Sequence, residues 1–137
     1  MKGRKRHVIV DTLGLILAVV VHGAQIQDRD GAKLLLERAS ADPALLASLQ
    51  KLWADGGYQG TLEDWVSEHY DFVLEIVKRP TDTVGFTVLP HRWIVERTLA
   101  WLSRCRRFAK DYEFLPAVSE QLIHVAMIGL MTRRLAV

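Results

Sequence analysis

The sequence predicts an α/β layer structure in which helices pack on the faces of a sheet. Short β-branched runs alternate with segments of helical apolar spacing, and turn-forming glycine, proline and aspartate fall between them. The chain has 137 residues, half hydrophobic and a quarter charged, which makes one globular domain rather than two domains or a disordered chain.

Two β-branched runs, around His7 to Val10 and Leu15 to His22, flank the turn sequence "DTLG" and predict a β-hairpin over about 7–22. The second run is apolar on both faces, so it belongs in a sheet covered on both sides. "DRDGAKLLLERAS" opens on acids and continues through Leu34, Leu35 and Leu36, which predicts a helix over about 29–40. Pro43 interrupts, and "PALLASLQ" adds a further helical turn or two. "KLWAD" at 51–55 reads as a buried strand with a sharp exit at Gly56 and Gly57. A helix over about 61–69 follows, with Thr61 as N-cap and Glu63 and Asp64 in its first turn. A strand is expected over about 71–78, a loop from Pro80 to Gly85, and a short extended approach through "FTVLP". Helices over about 91–108 and 116–134 complete the chain.

Charge is unevenly placed. Residues 2–6, "KGRKR", carry four cations and no acid, and 91–137 hold eight Lys/Arg against four Asp/Glu. The stretch between has six against twelve, and basic ends around an acidic middle suit a polyanionic partner. The single cysteine, Cys105, rules out an internal disulfide and a cysteine-based zinc site, fits a reducing cytoplasm, and reads as packing. The longest apolar run, Leu13 to Val21, is about half of what a membrane span needs, and no signal-peptide pattern follows the basic start. The five histidines, His7, His22, His69, His91 and His124, show no ligand-like pairing and read as surface or core. Met127, Met131 and Trp101 read as core, while Trp93 suits either packing or stacking on a base.

Two acids stand out. Asp55 ends a strand at a glycine turn, where it either serves the turn or projects over the sheet end toward a ligand. Glu96 lies alone among five arginines in "HRWIVERTLAWLSRCRR", on a helix face shared with Arg92, Ser103 and Arg107. That face reads either as an ordinary ion pair with Arg92 or as a place where a cation and a phosphate meet. Ile94, Thr98, Trp101, Cys105 and Phe108 form the face expected to pack on the sheet.

Three blocks in order, "KGRKRHVIVDTLGLILAVVVHGAQIQDRDGA", "LWADGGYQG" and "HRWIVERTLAWLSRCRRFAKDYE", resemble the catalytic half of bacterial insertion-sequence transposases of the DDE type. The resemblance covers nearly the whole chain. It implies an RNase-H-like mixed sheet flanked by helices, and three carboxylates holding two magnesium ions, for which manganese can substitute. Asp55 then matches the second catalytic acid and Glu96 the third. The family's helix carries a Tyr, an Arg three residues on, a Glu four further and a Lys seven after that. Arg92 and Glu96 match, whereas Leu89 stands at the Tyr position and Ser103 at the Lys position. Arg104, one residue later, offers a cation whose direction differs by about a hundred degrees.

The resemblance further implies DNA as the partner, both transposon ends and target, with Arg92, Arg97, Arg104, Arg107, Lys2, Arg4, Lys5 and Arg6 as phosphate contacts. No membrane is implied, and a cytoplasmic, nucleoid-associated location is expected. The family's first catalytic Asp lies on a central strand upstream of "KGRKRH". Asp11 is the nearest acid here, but its place in the hairpin favours a turn role. The sheet is therefore expected to be incomplete at its N-terminal central strand, with each unpaired buried group costing about 1–3 kcal/mol. The expectation is a chain inactive and marginally stable alone, self-associating or joined to an upstream transposase fragment. It would be one half of a frameshifted pair or the remnant of a decayed element.

Overall fold

A computed structural model describes residues 3–78, 92–105, 108 and 113–136. β1 (Arg4–Val10) and β2 (Ile16–Gly23) form the antiparallel hairpin, with a register shift at Ile9/Val10. The turn closes on Asp11, whose carboxylate accepts the backbone N–H groups of Leu13 and Leu15, both at 2.9 Å. Asp11 is thus a turn former, as its sequence favours. Gly14 sits at φ +80°, where a Cβ would stand 2.9 Å from the Thr98 hydroxyl, so both backbone and space select glycine.

α1 (Asp28–Ala39) and α2 (Pro43–Ser48) follow. Asp42 caps α2 by accepting from Ala44 and Leu45 N–H, and Pro43 takes the first helical position, where no N–H is needed. β3 (Lys51–Asp55), a 3-10 turn (Gly56–Tyr58), α3 (Leu62–His69) and β4 (Val73–Val77) make a strand-helix-strand unit whose strands pair in parallel. Thr61 precedes α3 but does not cap it through its hydroxyl; its backbone is already helical, whereas a capping residue is extended. α4 (Arg92–Ser103) and α5 (Pro116–Leu135) complete the described elements.

Three element ends and one burial pattern differ from expectation. α4 ends at Ser103 rather than near 108. Beyond it the chain tightens to three-residue bonds, from Arg104 N–H to Trp101 O and from Cys105 N–H to Leu102 O. Phe108 is thereby turned back onto the hairpin core. β4 is shorter than 71–78 at both ends. β3 is not buried but alternates exposed and half-buried, because among the described residues it bonds only to β4. The Pro80–Gly85 loop, the "FTVLP" approach and His91 lie outside the described residues.

Among the described residues the strands form two two-stranded sheets, β1–β2 antiparallel and β3–β4 parallel, which share a core without sharing a hydrogen-bonded ladder. One cluster packs Ile9, Ala18 and Val20 of the hairpin against Leu35 and Leu36 of α1, Leu62 and Val66 of α3, and Leu74 and Ile76 of β4. On the opposite hairpin face, Ile16, Val19 and Val21 meet Leu102 of α4 and Ile123 and Met127 of α5. β2 lies under a helix on each side, which accounts for its apolar character at successive positions. Each fully covered aliphatic side chain contributes about 1.5–3 kcal/mol.

The open edge of β2 is closed by a charged group. Glu120 of α5, buried, accepts the Val21 N–H at 2.9 Å through one oxygen and the Arg38 guanidinium at 2.6 Å through the other. The carboxylate satisfies an edge donor that a neighbouring strand would otherwise use. Glu120→Ala should destabilise the fold by about 1–3 kcal/mol in urea unfolding, the cost of a buried donor left without an acceptor. Arg38→Ala should cost less, because Arg38 is half-exposed and water can replace it.

Candidate active site

Asp55 ends β3 with its side chain exposed. Its Oδ1 accepts the Gly57 N–H at 3.0 Å, which fixes the exit from the strand into the 3-10 turn. The turn role does not use up the carboxylate, since each oxygen has a further lone pair. Asp28, in the first turn of α1, approaches the same glycine. A Cβ on Gly57 would stand 3.1 Å from Asp55 Oδ1 and 3.5 Å from Asp28 Oδ2. Asp28 is held there by Lys5, whose ammonium donates to Asp28 Oδ1 at 2.9 Å and to the Ile26 carbonyl at 3.1 Å. That hydrogen bond keeps the Asp28 carboxyl below its ordinary range.

Beneath the two carboxylates lies a buried aromatic group. His7 of β1 and His22 of β2 are diagonal neighbours on one face of the hairpin, stacked with centroids 4.7 Å apart, and only 4% and 7% exposed. The Tyr58 hydroxyl and His7 Nδ1 share a 2.6 Å hydrogen bond, which ties the turn after Asp55 to the other sheet. His22 Nδ1 donates to the Gly23 carbonyl at 2.8 Å. Both Nε2 atoms are buried without a hydrogen-bond partner and point at Gly31 of α1, where a Cβ would come within 2.4 Å of one and 2.5 Å of the other. Burial, then repulsion from His22, lowers the His7 pKa. Burial, then the charges of Asp55 and Asp28, pushes the Tyr58 phenol up to about 12.

Glu96 lies on an exposed face of α4. Two residues on, Thr98 is fully buried and donates from its hydroxyl to the Gly14 carbonyl at 2.6 Å. Arg97 donates to the Leu13 carbonyl at 3.0 Å, with its guanidinium 4.8 Å from the ring centres of both Trp93 and Trp101. α4 is thus pinned to the closed end of the hairpin, while Asp55 stands beside Asp28 and Lys5 at the open end. β1 and the turn separate those ends by about 20 Å at the usual strand rise. The structure does not bring Asp55 and Glu96 together, and among the described residues no group of three or more His, Cys, Asp or Glu is placed to hold a metal ion. The packing face of α4 is also shifted by part of a turn: Ile94, Thr98 and Leu102 are buried, and Trp101 and Cys105 only partly.

Several of the expected phosphate contacts are engaged within the fold. The Arg4 guanidinium donates to the carbonyls of Glu113 and Phe114, holding the segment before α5. Lys5 serves Asp28, and Arg97 serves the hairpin turn. All three donors thus also serve as internal ties, two guanidinium groups meeting main-chain carbonyls and one ammonium a carboxylate. Arg6 lies over the Phe108 ring at 5.6 Å and is half-buried. Arg104 is exposed. Lys2, Leu89, Arg107 and the side chain of Arg92 fall outside the described residues.

Sequence reading missed the pairing of His7 with His22. The turn alone, with Val10 opposite Ile16, would set Lys5 opposite Val21; the register shift at Ile9/Val10 moves Lys5 opposite His22 and so brings His7 diagonal to it. Asp28 and Tyr58 were invisible as neighbours of Asp55, since only the seating of α1 against the 3-10 turn brings them there.

Comparison with known proteins adds a family. A family model described as the transposase DDE domain matches residues 1–131. A putative transposase for insertion sequence element IS402 from Burkholderia cepacia is 30% identical over 118 residues, which is 81% of this chain and 54% of that protein. The chain thus spans about half the length of this relative. No solved structure matches.

The lowered His7 pKa has a sign that can be measured. Above its ordinary value of 6.5 both folded and unfolded chains carry it neutral, and its contribution is complete. As pH falls below that value the unfolded chain binds the proton first, so stability is lost until the lower folded value is passed, at no more than about 1.4 kcal/mol per pH unit. Thermal unfolding midpoints should fall between pH 7 and pH 5, and His7→Gln should flatten that slope. Asp28 adds a second loss in the same direction below its ordinary 3.8. Gly31→Ala, which drives a methyl group into both imidazoles, should lower the midpoint by more than a helix propensity gain could restore.

Proposed function

The chain belongs to the transposase DDE domain family, and on that premise we propose that it is the catalytic-core portion of a transposase that cuts and joins DNA strands with divalent metal when complete. The observation that carries the proposal is the family match over residues 1–131, which takes in both Asp55 and Glu96. Asp55 offers free carboxylate lone pairs at the exposed end of a parallel strand, and Glu96 is exposed on α4. Oxygen donors of this kind fit magnesium, with manganese as substitute, better than a soft metal. Asp55 and Glu96 would hold the metal, which supplies charge stabilisation at the phosphorus under attack.

The finer fold is RNase-H-like, with β1–β2 and β3–β4 as two parts of one sheet and a strand needed between β1 and β3. Two features support it: the sheets share an apolar cluster, and β3 is half-exposed as a strand lacking one neighbour would be. Completion of the sheet would also reseat α4, bringing Glu96 toward Asp55. The chain alone is then inactive, in keeping with carboxylates held at different ends of the hairpin. DNA, as transposon ends and target, is the polyanion that the basic ends fit, with Arg104, Arg6, Arg92, Arg107 and Lys2 as phosphate contacts. The protein partners of this reading are a second copy of the chain or an upstream transposase segment whose strand would pair between β1 and β3. DNA as partner places it at the nucleoid in the bacterial cytoplasm, and no described helix is long and apolar enough to cross a membrane.

A second reading, a DNA-binding or assembly piece without catalysis of its own, is favoured by the anchoring of α4 through Thr98 and Arg97 at the hairpin turn. Strand cleavage with magnesium or manganese separates the two. We expect no cleavage by this chain and cleavage once an upstream strand bearing an acid is joined to it, lost in Asp55→Asn and Glu96→Gln. DNA binding without cleavage in both forms would instead establish the second reading. In either case the logarithm of DNA affinity should fall linearly with the logarithm of salt concentration, and a flat response would remove the phosphate contacts.

A further inference from the structure

α5 is apolar around most of its circumference. One side, with Ile123 and Met127, is buried against the hairpin. The other exposes Val118 at 39%, Val125 at 63%, Ile128 at 61% and Leu135 at 87%. These four fall at steps of seven, three and seven residues, and Gln121 and Thr132 fill the remaining positions of the same heptad seam. A helix apolar on both sides needs cover on both sides.

The order of residues along this seam is its own complement when read backwards. Laid antiparallel on a second copy, Val118 meets Leu135, Gln121 meets Thr132 and Val125 meets Ile128, so apolar faces apolar and polar faces polar in every layer. We propose that α5 forms an antiparallel two-helix interface with a second copy of this chain.

Three observations favour that occupant. No charged residue flanks the seam between Gln121 and Thr132; the neighbours there are Leu122, His124, Gly129 and Met131. Gly129 stands in the helix interior, where glycine is intrinsically unfavourable, and an added Cβ would meet nothing within the chain. Close approach of a second backbone accounts for it. The exposed parts of Val118, Gln121, Val125, Ile128, Thr132 and Leu135 come to on the order of 500 Å² per copy, or about 1,000 Å² per pair, which reaches the lower bound for a specific interface. Direction follows from charge. A parallel pair would align the two helix dipoles, whereas the antiparallel pair opposes them and keeps the basic ends of the two copies about 20 Å apart along the axis. The two-fold arrangement closes on itself and limits assembly to a dimer.

The interface is independent of the metal chemistry proposed above, and its test uses neither DNA nor metal. Sedimentation equilibrium of the chain at tens of micromolar should return a dimer, and Val125→Lys or Ile128→Lys should return a monomer with unchanged helical circular dichroism. Leu99→Lys, an exposed apolar position on α4, should leave the dimer intact. In a Cys105→Ser background, Val118→Cys mixed with Leu135→Cys should form disulfide-linked pairs, while neither should do so alone. A monomeric parent chain, a dimer that survives Ile128→Lys, or cross-linking of either cysteine variant with itself would overturn the proposal.

Discussion

The two sheets are joined by the packing of α1, and that packing depends on one glycine. The helix lies across the hairpin face with Gly31 against the stacked imidazoles of His7 and His22, where any larger residue would collide with both rings. Leu35, Leu36 and Ala39 then reach the cluster that also receives α3 and β4. Among the described residues the sheets share no ladder, so side-chain packing and the bond from His7 to Tyr58 take over a task that backbone hydrogen bonds perform in a continuous sheet.

The same arrangement shapes the surroundings of Asp55. The His7 to Tyr58 bond fixes the turn that Asp55 caps, and the Lys5 to Asp28 bond fixes a second carboxylate beside it. Both ties originate on β1, one residue apart in its alternation, so the hairpin sets the geometry of a site on the other sheet. Burial that keeps His7 neutral also raises the Tyr58 phenol, and the pair can share a proton only as a neutral hydrogen bond near neutral pH. The site is thus rigid on the Asp55 side. Glu96 belongs to a different mechanical unit, since α4 is fastened to the hairpin turn by Thr98, Gly14 and the ring-stacked Arg97.

The fate of the cations shows how a basic sequence divides between binding and folding. Arg4, Lys5 and Arg97 look alike in composition to Arg104, yet each of the three ties a loop or a helix terminus to the hairpin. A guanidinium has five donors in a fixed fork, and wherever main-chain carbonyls lie exposed beside a strand it will satisfy them. Net charge therefore overstates the surface open to a polyanion.

Element order, the hairpin and its turn, the start of α1, the extent of β3 and the long final helix were legible in the sequence because each depends on local rules: turn geometry at "DTLG", acids at a helix start, glycine after Asp55, proline at Pro116. So was the two-sided covering of β2, since a strand apolar at successive positions can only be buried on both faces. The early end of α4, the division into two sheets, the stacking of His7 on His22 and the placing of Asp28 beside Asp55 were decided by tertiary structure alone. They depend on which surfaces meet, and contacts between residues dozens of positions apart leave no period or spacing in the chain that makes them.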